Sequence, residues 1–124
     1  MKIIDRETFM KMPKGTVFCK FPIKDYAPNY MHLGIDTPCI LDDTWETDFV
    51  LTGLDNLHPK DGDYTETLLD MREHPGKEVP FEYWSGRDGM YDGDEVGFAV
   101  FSRQEVQEMI TLLQEALENG YKED

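Results

Sequence analysis

Glu95-Val96-Gly97-Phe98-Ala99-Val100-Phe101-Ser102-Arg103-Gln104-Glu105-Val106 changes its hydrophobic period partway along, and that change decides the fold. The apolar run up to Phe101 reads as a strand. Ser102 and Glu105 then have the spacing of a capping box, with Phe101 placed to staple onto Val106. Val106, Met109, Ile110, Leu113, Ala116 and Leu117 recur at helical spacing on one face. Asn119-Gly120 predicts a left-handed stop. A strand that feeds directly into an amphipathic helix predicts a sheet with this helix packed across one face.

Working back toward the N-terminus, the elements are short and alternate in type. Residues 5–12 predict a short helix capped by Asp5, turned by Pro13-Lys14-Gly15. Residues 16–21 predict a strand that Pro22 ends, 22–30 a loop, and 31–36 a second strand. Residues 37–47 read as an acidic connection and 48–53 as a third strand. The stretch 55–63 is rich in turn residues, and Asp63-Tyr64-Thr65-Glu66 opens a helix that Pro75-Gly76 closes. Residues 79–84 predict a fourth strand, 85–89 a loop, and 95–101 a fifth. Few crossovers are long enough for parallel pairing. The expected class is α+β: one domain over residues 1–124, a mostly antiparallel sheet of about five strands, two shorter helices and the C-terminal amphipathic helix.

Charge is the unusual quantity. The 124 residues carry 26 acidic and 12 basic side chains, a net of −14. Residues 25–124 hold 24 of the acids and 6 of the bases, a net of −18, while residues 1–24 are net positive. Direct binding to nucleic acid or to an anionic membrane is disfavoured by this sign, and a basic protein partner is favoured. Ordinary solubility is the plainer explanation of the same excess. No apolar run approaches a membrane span, and no secretory signal is visible. With only Cys19 and Cys39, a disulfide scaffold is not expected, and a cytoplasmic location with reduced thiols is.

Two acidic stretches stand out. Asp42-Asp43-Thr44-Trp45-Glu46-Thr47-Asp48 sets carboxylates around a tryptophan with no base. An exposed Trp45 there would anchor a basic surface while Asp42, Asp43 and Glu46 steer it; a solvated loop with Trp45 in the core is the alternative. The loop 85–95 adds Asp88, Asp92, Asp94 and Glu95 among glycines, with spacing unlike an EF-hand, so a turn or binding loop is expected rather than a metal site. Acids two apart on a strand project about 6.6–6.8 Å apart, close to a phosphate spacing, so such surfaces can imitate a nucleic-acid backbone. Glu108, Glu115 and Glu118 lie opposite the apolar stripe of the last helix, as a solvated face would. A different possibility is a phosphate-bearing ligand held by Arg87, Arg103 at a helix N-terminus, and Lys24. His32, His58 and His74 show no metal-ligand spacing, and no nucleophile, Walker or dinucleotide motif is present. Cys19 sits in a strand pattern, where a buried thiol is the usual role. No catalytic residues, cofactor or metal are implied.

Residues 5–21, the block Ser85-Gly86-Arg87-Asp88-Gly89 leading into Gly97-Phe98-Ala99-Val100, and the capped C-terminal helix resemble small acidic accessory proteins of bacteriophages and prophages. The likeness is one of general pattern over most of the chain and assigns no residue a role. It implies action by binding, as anti-CRISPR and other anti-defence factors act. The expected function is therefore a non-enzymatic inhibitor of a basic protein, such as a nuclease or a CRISPR effector, with Trp45, Tyr83 or Trp84 as anchors. Alternatives are an immunity protein against a nuclease toxin, a sponge for a small nucleotide signal, and a structural phage component. The oligomeric state is left open by the sequence.

Overall fold

Phe18, Phe49 and Phe98 stand on alternating strand positions, so all three point to one side of a sheet. Phe9 comes down on them from a helix. All four rings are fully buried, and Phe9 stacks on Phe98 with centroids 3.8 Å apart and an interplanar angle of 7°. Leu41, Leu51 and Val100 complete the cluster. The computed structural model describes residues 1–24, 33–89 and 93–121.

The described strands are β1 (Lys2–Ile4), β2 (Val17–Pro22), β3 (Cys39–Thr44), β4 (Phe49–Pro59), β5 (Phe81–Arg87) and β6 (Val96–Val100). They form one sheet in the order β1-β6-β2-β3-β4-β5, and every pairing is antiparallel. Strands β2 to β5 are neighbours in sequence order, and β6 returns to lie between β1 and β2. Helices α1 (Arg6–Phe9), α2 (Tyr64–Glu73) and α3 (Arg103–Gly120) complete an α+β fold. The caps form as the sequence predicts. Asp5 accepts from the Thr8 N–H and Asp63 from the Glu66 N–H, both at 2.9 Å. Ser102 and Glu105 form the reciprocal capping box. Glu105 also meets the Met1 ammonium at 2.5 Å; that contact and the Ser102 N–H lower its carboxyl to about 2.

The structure corrects the sequence reading in several places. The antiparallel sheet of about five strands is present, with six strands among the described residues, and the differences lie in its members. β1 is three residues long, too short to carry a hydrophobic period, and is held by pairing with β6. The acidic connection contains β3. Its aspartates are tolerated because Asp42 accepts from the hydroxyls of Thr52 (2.7 Å) and Ser85 (2.8 Å), and a bulge lies between Leu41 and Asp43. β4 runs through the turn-like residues to Pro59, and the extra length is absorbed by an irregularity between Thr52 and Leu57. β5 extends through the expected loop to Arg87. Of the expected strand at 31–36, Met31 and His32 lie outside the described residues, and 33–36 is not a strand. α1 ends at Phe9, short of Met12.

The largest correction concerns α3. Only the start of its apolar stripe is covered: Val106 and Met109 are half-buried, whereas Ile110, Leu113 and Leu117 are exposed. The helix is therefore not packed across a face of the sheet, and α1 occupies the buried face instead. Gly120 is helical rather than left-handed, and the helix gives way at Tyr121.

Candidate functional site

The tip of the β3–β4 hairpin is built around a buried carboxylate. The Trp45 N–H donates to the Asp48 carbonyl at 2.8 Å and closes the turn. The Asp48 side chain points inward, with the residue only 2% exposed. Its Oδ1 accepts from the N–H of Phe49 (2.8 Å) and of Gly89 (2.7 Å), and its Oδ2 accepts from Arg87 Nε (2.6 Å). Burial pushes this carboxyl up, and the Arg87 guanidinium with the two N–H groups more than reverses that, so the carboxyl is held below its ordinary value. Gly89 is required by space as well: a Cβ there would sit 2.3 Å from the Phe49 ring.

Around this node the neighbouring elements are pinned. Arg6 of α1 donates to the carbonyls of Thr47 (2.5 Å) and Gly89 (2.7 Å). Lys20 of β2 bonds the Asp88 carbonyl at 2.8 Å and its carboxylate at 3.0 Å. The guanidinium of Arg87, fixed through Nε, sits 5.7 Å from the centroid of the Trp45 ring. Trp45 is thus held by a cation whose own position is set by a buried acid, yet the residue is 50% exposed.

Trp45, Glu46, Asp43, Arg87 and Asp88 come together at the hairpin tip and the end of β5. Glu46 is exposed, and Asp43 is half-exposed with Lys14 at 4.0 Å. Asp42 and Asp88 carry internal partners, the hydroxyls and Lys20 respectively, so they shape the tip as much as charge it. Asp94 and Glu95 lead into β6, whose first residue pairs with Pro22, and no described contact ties them to the tip. Asp92 lies outside the described residues. Tyr83 is exposed on β5, and Trp84 packs against the core.

The three cations of the phosphate-ligand reading do not converge. Arg87 is on edge strand β5, while Arg103 follows β6, four strand spacings or about 19 Å across the sheet. Lys24 lies beyond the Pro22 end of β2, and Phe101, just before Arg103, bonds the Val17 end. Burial pushes the Cys19 thiol up and raises that of Cys39 to about 11. Neither is activated as a thiolate. No cluster of three or more His, Cys, Asp or Glu suited to a metal occurs among the described residues. None of the described helices is long and apolar enough to cross a membrane.

The residues that sequence reasoning missed are Arg6, Gly89 and the inward role of Asp48. Asp48 sits in an acidic run whose other carboxylates stay at least partly exposed, and nothing local marks it for burial. No protein-family model matches the chain, no curated protein is similar to it, and no solved structure matches the fold.

Proposed function

We propose that this chain is a non-enzymatic binding protein that docks its acidic, tryptophan-tipped surface on a basic protein. The natural target class is a protein that itself grips nucleic acid, such as a nuclease or a CRISPR effector, which the acidic surface inhibits by occupying its cationic groove. An immunity protein against a nuclease toxin is the same chemistry with a different target. The observation that carries the reading is Trp45: a large aromatic half in water, pre-positioned by Arg87 and flanked by the carboxylates of Glu46 and Asp43. A side chain ordered before binding loses little entropy on docking, and an aromatic anchor inside a charged rim is the usual anatomy of a binding hot spot. The net −18 of residues 25–124 supplies the long-range attraction.

The test is capture of partners by immobilised chain from host lysate at about 0.05 M and about 0.5 M salt. One basic protein is expected at low salt, depleted at high salt, and lost with Trp45→Ala, whose truncation weakens binding by about 30-fold or more. Retention of the same protein by Trp45→Ala as strongly as by the native chain contradicts the assignment of the anchor.

A further inference from the structure

A surface helix ordinarily turns its apolar stripe toward the core. In α3 this holds only for Val106 and Met109, while Ile110, Leu113, Leu117 and Tyr121 are 53%, 66%, 58% and 59% exposed. Beside the covered start of the stripe is an open groove of about 440 Å³. Its walls include Met12, Pro13 and Val17 on one side and Val106 and Ile110 of the helix on the other. We propose that the stripe is covered by α3 of a second copy of this chain, packed antiparallel about a two-fold axis.

Three observations select this occupant. The first is where the charge sits. Despite the net −14, the acids of α3 that face water, Glu108, Glu115 and Glu118, lie on the side away from the stripe, at 3.6 residues per turn. Along the exposed length of the stripe the flanks are neutral, with Gln114 on one side and Leu112 on the other, and Glu105, which flanks the covered start, is already engaged by the Met1 ammonium and the Ser102 N–H, so two such helices meet without like charges across the seam. A basic-rimmed groove on another protein would find no acids at those flanks to pair with.

The second is register. Centring an antiparallel pair between Thr111 and Leu112 sets Val106 opposite Leu117 and Ile110 opposite Leu113, over a contact about 17 Å long. The exposed half of each helix then lies along the groove beside the covered half of the other. Arg103 of each copy falls opposite Gly120 of the other, next to helix-end carbonyls that have no basic residue in their own last turn. The third is area. The exposed stripe residues, Tyr121 included, offer on the order of 500 Å² per chain, which doubled reaches the roughly 1,000 Å² that a biological interface should clear.

Sedimentation equilibrium of the full chain between about 1 and 100 µM tests this. The native chain should sediment as twice 14.4 kDa, and should stay dimeric or tighten in about 0.5 M salt, where the proposed contact with a basic partner fails. Leu113→Glu should raise the dimer dissociation constant by at least about 100-fold, and Arg103→Glu by several-fold. Leu113 is exposed in the single chain, so circular dichroism of the Leu113→Glu monomer should retain the native spectrum. A native chain that is monomeric at the highest concentration overturns the proposal and leaves the stripe to a different protein. A Leu113→Glu chain that dimerises like the native one also overturns it.

Discussion

Phe9→Ala is expected to destabilise the chain by about 3–5 kcal/mol, the range for emptying a buried aromatic site. Phe9 is fully buried and is the one ring of the central four that does not come from the sheet. It stacks on Phe98 at 3.8 Å and meets Phe18 at 4.6 Å and Phe49 at 5.3 Å, so truncation removes three ring contacts together. α1 has only four residues and no independent stability, so it cannot refill the space by shifting along its axis. Urea unfolding should show the midpoint moving far below that of the native chain, with Phe9→Leu between the two. A Phe9→Ala chain within 1 kcal/mol of native would contradict the placement of this ring at the centre of the core.

The second large effect is expected from Asp48→Ala, a loss of about 2–4 kcal/mol. The substitution strands the buried N–H groups of Phe49 and Gly89 and frees Arg87 from the acid that aims it. Asp48→Asn should be intermediate, because its amide keeps one acceptor but turns an NH₂ toward a donor. The pH dependence follows from the direction of the shift. The folded carboxyl lies below the ordinary value of 3.8, so its contribution is complete above that value. It is lost as pH falls through the lowered folded value. The stability difference between native and Asp48→Asn chains should therefore be constant from pH 7 to 5 and shrink below pH 4. Partner binding should weaken in Asp48→Ala along with stability, since Trp45 loses the cation that holds it.

What the sequence disclosed and what it hid divide along physical lines. The three helix caps were legible because each needs only a side-chain oxygen three residues from an N–H. The strand β6 was legible from an uninterrupted apolar run, and β2 from one broken only by Lys20. β3 was hidden because the carboxylate of Asp42 is satisfied by hydroxyls on β4 and β5, partners more distant in sequence than any local pattern reaches. β4 was cut short by Gly53, Asp55 and Asn56, which signal a turn alone but ride on the irregularity against β5. The stripe of α3 was read correctly as apolar and wrongly as covered, since periodicity reports a face and not what lies against it. At the site, Trp45 and its flanking acids were visible. The Asp48 node was not, because burial of one acid among several depends on Arg6, Arg87 and Gly89 arriving from elsewhere.

The most direct test of the proposed function is the equilibrium affinity of the chain for the basic protein it captures, measured as salt rises from about 0.05 M to about 0.5 M. Docking steered by net negative charge predicts a fall of tenfold or more, with Glu46→Lys weaker at low salt and less sensitive to added salt. An affinity that stays unchanged across that range would contradict it.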